Sequence, residues 1–225
     1  MISEEIKRIK AKLPAGIQLI AVSKFHPAEA VMEAYDAGQR LFGENKVQEM
    51  TAKYEVLPKD IEWHFIGHLQ TNKVKYIAPF VAMIHSIDSL HLLKEVDRQA
   101  EKTGRVIDVL LQIHIAHEET KFGMTFDECR DLLKEGTWKQ LKHVRICGLM
   151  GMATYTEDMQ QVEHEFASLQ AFFEEVRTNW FDGETAFKEL SMGMTEDYPI
   201  AIQHGSTFVR IGTQIFGERN YNKQP

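Results

Sequence analysis

The sequence predicts an α/β chain folded as a TIM (β/α)8 barrel with an additional N-terminal helix. Two observations carry that reading. Eight short β-branched or apolar runs alternate with amphipathic helical stretches from end to end, and no Pro/Gly/Ser-rich linker, fixed-period repeat or low-complexity tract breaks the alternation. Eight βα units on one parallel sheet close naturally into a barrel. An open doubly wound sheet is the competing arrangement, but its usual marks, a GxGxxG turn or a GxxxxGK[ST] loop, are missing. The 225 residues therefore read as one domain, 1–225.

Residues 1–13 form the additional helix, with Ile2, Ile6, Ile9 and Leu13 as its apolar stripe. The first strand, 17–22, is followed by a helix over 27–37. The second strand, 40–43, leads into a helix over 45–53, and the third, 62–66, into one over 70–77. The fourth strand spans 81–87 before a helix over 90–102. The fifth, 106–113, and the sixth, 145–150, precede helices over 126–134 and 159–178. In the last of these Val162, Phe166, Leu169, Phe173 and Val176 recur at 4, 3, 4 and 3 residues and make one apolar face. The seventh strand, 189–192, is joined to the eighth, 208–211, by a helix over 196–203.

Charge and cysteine content narrow the function. With 26 Lys and Arg against 33 Asp and Glu the formal net charge is −7, and no long basic run occurs, which argues against nucleic acid or an anionic membrane as the main partner. Cys129 and Cys147 lie in unrelated contexts, so neither a CxxC metal site nor a disulfide framework is expected. The N-terminal MISEEIKRIKAKL has no continuous apolar h-region, and no window reaches the roughly 20 apolar residues of a membrane span. A cytoplasmic protein is expected.

Barrel active sites lie at the C-terminal strand ends, with phosphate commonly held after strands seven and eight. The first strand ends in Ser23-Lys24, and the period of 2 puts Lys24 on the face of Ile20 and Val22. A lysine in that partly apolar position can attack a carbonyl to form a Schiff base, or can simply snorkel. Gly and hydroxyl clusters occupy 191–197 and 204–213, and their joint position favours phosphate binding over ordinary turns. Arg210, inside a Val-Arg-Ile strand, needs a buried partner, either a structural carboxylate or a ligand acceptor. His64-x-x-x-His68, and His114-x-x-His117 beside Glu118 and Glu119, match no zinc fingerprint, so no metal is expected.

Seven ordered motifs then stand out: Ala21-Val22-Ser23-Lys24; Phe42-Gly43-Glu44-Asn45 with Val47-Gln48-Glu49; Trp63-His64-Phe65-Ile66-Gly67; Leu69-Gln70-Thr71-Asn72-Lys73; Gly148-Leu149-Met150; Leu190-Ser191-Met192-Gly193-Met194; and Val209-Arg210-Ile211-Gly212-Thr213 with Ile215-Phe216-Gly217. Together they resemble the pyridoxal phosphate homeostasis proteins, the YggS/PROSC type, whose fold is similar to the N-terminal barrel of alanine racemases. The resemblance implies that Lys24 carries pyridoxal 5'-phosphate (PLP) as a Schiff base. It implies that Ser191, Gly212 and Thr213 hold the phosphate, with Met192, Gly193 and Ser206 nearby. It sets Arg210 at the pyridine nitrogen and Asn45 on the pocket wall. Two positions depart from the family pattern, Lys46 where Tyr is usual and His68 where Pro is common.

Several readings of activity follow. An arginine at the ring nitrogen cannot protonate it, so the ring is a weak electron sink. Racemases of this kind need a second acid/base, which in alanine racemases is a tyrosine of an additional C-terminal domain in the partner subunit. This sequence runs only to Pro225, which leads to the expectation of a monomeric PLP-binding protein that stores, buffers or delivers the cofactor, with PLP-requiring apo-enzymes as partners. Catalysis is not expected, although Lys24 would be the catalytic residue of the alternative, a small PLP-dependent amino-acid racemase using His68 or Tyr198. A phosphosugar isomerase or aldolase barrel would share the phosphate loops and the lysine. Lys46, Lys73 and Lys121 are the next lysines an aldehyde could take.

Overall fold

Every expected strand forms, and each pairs in parallel with the next until the last meets the first. The computed structural model describes residues 1–118 and 122–218; Glu119 and Lys121 lie outside the described residues. The strands are β1 (Gln18–Val22), β2 (Leu41–Glu44), β3 (Glu62–Phe65), β4 (Met83–Ile87), β5 (Ile107–Ile113), β6 (Val144–Gly151), β7 (Glu189–Ser191) and β8 (Phe208–Ile211). They close in sequential order, β1 against β8, into one barrel.

Helices cover the outside: α1 (Ile2–Lys12), α2 (Ala28–Asp36), α3 (Val47–Val56), α4 (Val74–Ile77), α5 (Leu90–Lys102), α6 (Phe126–Glu135), α7 (Met159–Trp180), α8 (Tyr198–Gln203) and α9 (Thr213–Phe216). The expected apolar stripes bury as periodicity requires. Ile6 and Ile9 of α1 are fully buried, as are Phe166, Leu169 and Val176 of α7. Local chemistry fixes the ends. Asp158 accepts the Gln160 and Gln161 N–H groups at the start of α7, Thr125 and Glu128 form a capping box on α6, and Gly136 at φ 76° ends α6.

Differences from the expected elements are small and have physical causes. The helix expected over 70–77 is split into a 3-10 turn, Thr71–Lys73, and α4. The helix expected from residue 45 begins at Val47 with Lys46 as its extended N-cap, which leaves Asn45 on the loop above β2. The short α9 was not expected, because four residues carry no readable periodicity.

Two apolar regions result. The larger lies between sheet and helices and includes Phe42, Trp63, Phe65 and Phe166. The smaller fills the barrel interior with Ile20, Met83, Leu110, Cys147, Met150 and Phe208. Among them stand four buried polar side chains, His64, His85, Ser191 and Arg210. The register explains this grouping: Ile20 lies beside Arg210, His64 beside Met83 and Met150 beside Ser191, and neighbours across a parallel sheet share a face. Cys129 and Cys147 are free and buried, and burial pushes both thiols up to about 12, so neither is reactive at neutral pH. Among the described residues no helix is long and apolar enough to cross a membrane.

Candidate functional site

A cavity of about 340 Å³ opens at the C-terminal ends of the strands. Its volume falls in the range of roughly 300 to 1,000 Å³ typical of small-molecule sites. Segments after β1, β2, β3, β6, β7 and β8 all contribute to the wall.

Lys24 lines the cavity on the inner face continued from Ile20 and Val22. It sits in a four-residue turn closed by the His26 N–H donating to the Ser23 carbonyl at 3.1 Å. The next residue, Phe25, has φ 67°, alone among the described non-glycine residues in being positive. A left-handed backbone costs an L-residue roughly 1–2 kcal/mol, and such strain persists only where the surroundings enforce it. His26 stacks on Phe216 of α9 with ring centroids 5.1 Å apart, joining this turn to the loop after β8.

Asn45 is the second lining residue from the expected set, and its buried Oδ1 has no hydrogen-bond partner. Gly67 makes its position possible: a Cβ there would come 2.4 Å from the Asn45 carbonyl oxygen. The neighbouring Lys46 is exposed, and its Nζ lies 5.1 Å from the Phe25 ring centroid, a cation–π contact on the outside of the Lys24 turn.

Arg210 forms part of the cavity floor and is almost fully buried. Its side-chain hydrogen bonds reach neutral acceptors, while the Asp197 carboxylate acts on it through space. Nη1 donates to Ser191 Oγ at 2.7 Å and Nη2 to the Gly151 carbonyl at 3.1 Å, two neutral acceptors. Burial pulls the guanidinium down to about 10, against the opposing pull of Asp197, so it stays charged at neutral pH. Asp197 accepts the Met194 N–H at 2.5 Å, and burial raises its carboxyl above the ordinary value.

Gly212 and Thr213 line the cavity beside Lys24, and a Cβ on Gly212 would stand 3.1 Å from the Val22 carbonyl. Of the nine expected cofactor residues, the cavity thus gathers Lys24, Asn45, Arg210, Gly212 and Thr213. Ser191, Met192, Gly193 and Ser206 stand behind the wall. Ser206 donates to the Met192 carbonyl at 2.7 Å, Gly193 accepts the Arg210 N–H at 3.0 Å, and Met192 is fully buried. Ser191 also meets His85 Nδ1 at 2.9 Å, and His85 Nε2 meets His64 Nδ1 at 2.8 Å. His64 therefore pairs with the neighbouring strand β4 rather than with His68, which stacks on Phe122.

Sequence reasoning missed Met194, Thr195 and Glu196 after β7, and Met152, Tyr155 and Thr156 after β6. The first three belong to the hydroxyl cluster at 191–197 and could have been chosen from it. The second three carry no local signal, and are held by Glu165 of α7, which accepts the Thr154 N–H and hydroxyl, each at 2.6 Å. Neither His68 nor Tyr198 lines the cavity. Among the described residues no group of three metal-ligating side chains occurs.

Residues 1–220 match the family model described as the N-terminal domain of alanine racemase. The chain belongs to this family. Within it, the pyridoxal phosphate homeostasis protein of Aquifex aeolicus (strain VF5) is 41% identical over 205 residues, covering 91% of this chain and 88% of the relative. The protein of the same name from Pasteurella multocida (strain Pm70) is 39% identical over 218 residues, covering 95% and 92%. PipY of Synechococcus elongatus PCC7942, solved with PLP bound, superposes with a TM-score of 0.87 at 39% identity over 96% of this chain and all of that one. An alanine racemase of Clostridium difficile 630 shares the fold, with a TM-score of 0.77 at 11% identity, but this chain spans only 56% of it.

Proposed function

We propose that this protein binds PLP in the cavity, with Lys24 taking the aldehyde covalently, and that it stores, buffers or delivers the cofactor. The observation that carries the reading is the convergence of Lys24, Arg210 and the Gly212-Thr213 pair on one cavity in a chain of this family. The cavity suits such a ligand in two further respects. A buried acceptor, Asn45 Oδ1, lacks a donor, and leaving it so costs about 1–3 kcal/mol that a ligand hydroxyl would relieve. Thr195 and Thr213, each of which carries a hydroxyl, line the same space.

When bound, PLP brings an aldehyde for an amine and a phosphate for N–H and O–H donors. The chain's own groups do the rest. Lys24 is the covalent anchor. Thr213, Gly212 and Thr195 are the phosphate donors, supported from behind by Met192, Gly193 and Ser206. Arg210 presents N–H groups only, because a guanidinium keeps its protons at neutral pH. Ser191, whose hydroxyl already serves Arg210 and His85, acts on the ligand by holding Arg210 in place.

This reading sets the protein in the cytoplasm as a monomer that passes PLP to apo-enzymes, and the two buried thiols suit a reducing compartment. The test is an absorption spectrum of the purified protein, followed by borohydride trapping and peptide mapping. Visible absorbance with the label on Lys24 supports the reading. Label on Lys46 or Lys73, or full absorbance in Lys24→Ala, overturns it. A racemase remains the second reading because Tyr155 lines the cavity and could serve as an acid/base. Solvent exchange at Cα of L-alanine near the median enzyme turnover of about 10 per second, lost in Tyr155→Phe, would establish it.

A further inference from the structure

The turn that carries Lys24 is held by three charged side chains outside the cavity lining. Glu49 Oε1 on α3 accepts the Phe25 N–H at 2.7 Å, just after Lys24. Lys53, one turn further along α3, donates to the Ser23 carbonyl at 2.7 Å, just before it. The remaining protons of the Lys53 ammonium go to Glu49 Oε1 at 2.8 Å and Glu44 Oε1 at 2.6 Å, so all three are used. Glu44 Oε1 accepts the Ser23 hydroxyl as well, at 2.6 Å. Glu44 is fully buried and Lys53 nearly so.

Buried ion pairs of this kind seldom add net stability over a well-packed apolar replacement. What the cluster does here is geometric. It fixes the C=O on one side of Lys24 and the N–H on the other, which are the two backbone groups that determine where the lysine stem departs. The same bonds hold Phe25 in a backbone region that a bulky side chain disfavours.

We propose that Glu44, Glu49 and Lys53 are positioning residues for Lys24, a clamp that holds a strained turn so that the lysine amine is preset in the cavity. The proposal rests on the reading that Lys24 is the residue that takes the ligand. The clamp acts on the amine and not on the phosphate donors, so its loss should slow PLP and pyridoxal alike.

The experiment measures the rate at which PLP, and separately pyridoxal, is trapped on Lys24 by cyanoborohydride, with peptide mapping and a thermal melt for each variant. Wild-type protein and Lys24→Ala come first: if the wild-type label maps to another lysine, the Lys24 reading fails whatever the clamp does. With Lys24 established, Glu49→Ala should lower both rates at least tenfold. Glu49→Asp, which keeps the charge for Lys53 but draws the acceptor away from the Phe25 N–H, should do likewise. Glu49→Gln keeps an oxygen acceptor and should stay within threefold of wild type. If Glu49→Ala does not fold, the Asp and Gln variants decide the matter between them. Wild-type rates in folded Glu49→Asp, or a loss in Glu49→Gln as large as in Glu49→Asp, would overturn the proposal.

Discussion

Arg210 Nη1 donates to Ser191 Oγ at 2.7 Å, and this one bond ties the cavity floor to the middle of the barrel. Beyond Ser191 the chain of contacts runs through His85 to His64. Ser191→Ala should therefore weaken PLP and pyridoxal to the same extent, through a loosened Arg210. Thr213→Ala should weaken PLP about tenfold to a hundredfold, as expected for a lost hydrogen bond to a charged group, and leave pyridoxal nearly unchanged. Equilibrium titrations of both variants with both ligands separate the two roles.

The two buried imidazoles should be neutral and share one tautomer. Burial brings His64 down to about 4 and His85 well below its ordinary value. Arg210 has only protons to give, so Ser191 Oγ accepts from it, and the hydroxyl's own proton goes to the other polar atom it meets, His85 Nδ1. That leaves the His85 proton on Nε2, facing His64 Nδ1, and the His64 proton on Nε2. Nitrogen-15 NMR at pH 5.5 should show two neutral rings protonated at Nε2. A protonated Nδ1 on either ring would break the deduced direction of the chain.

Glu44 has the opposite linkage. Burial raises its carboxyl to about 7 in spite of the nearby Lys53, with Glu49 adding to the rise, and its Oε2 has no partner. A raised carboxylate pKa means the folded state holds the proton more tightly. The associated stability is present below about pH 4.5 and is lost as pH rises through 7. For His64 the folded pKa is lowered, so its contribution is present above about pH 6.5 and lost as pH falls towards 4. The two slopes oppose each other between pH 4.5 and 6.5. His85, whose pKa burial also lowers, adds to the His64 slope, so urea midpoints of the wild type should rise less across that interval than those of Glu44→Gln, which should become more stable steadily from pH 5 to 6.5. A flat profile in Glu44→Gln would contradict this assignment.

Gly148 on β6 is expected to be irreplaceable. Its φ is 155°, and a Cβ would lie 1.7 Å from the Glu189 carbonyl oxygen of β7. The clash is with the Glu189 backbone, which cannot swing aside as a side chain would, so Gly148→Ala should lose more than about 4 kcal/mol or fail to fold. Gly104→Ala is the control. Gly104 is also left-handed, at φ 65°, but has open space around it, and should lose only the backbone strain of about 1–2 kcal/mol. Chemical denaturation of the pair isolates the clash from the strain.

The barrel was legible because its signal is repeated and local. Each strand is an apolar run, and the α7 stripe from Val162 to Val176 needs only the 3.6 period to be read. Lys24 and the Gly212-Thr213 pair were legible for a related reason, since strand ends can be located once strands are. The interior contacts were not. The partner of His64 is His85 on the next strand, and the register that brings them together is a property of the closed sheet that the local His64-x-x-x-His68 spacing does not carry. Ser191 was placed at the right strand end, but the direction of its hydroxyl depends on where Arg210 lies across the β7–β8 seam. Tyr155 and Thr156 carry no pattern at all, and reach the cavity because a loop anchored by Glu165 brings them there.

The two neutral acceptors around Arg210 also limit what this scaffold can become. An acidic side chain at that position, the replacement that would let a heteroaromatic nitrogen be protonated, would face the Gly151 carbonyl and leave Ser191 without its donor. Two neutral lone pairs would then confront one buried negative charge. Placing an acid at this point of the floor would require rebuilding residues 151, 191 and 210 together, so no single substitution carries the fold to that arrangement.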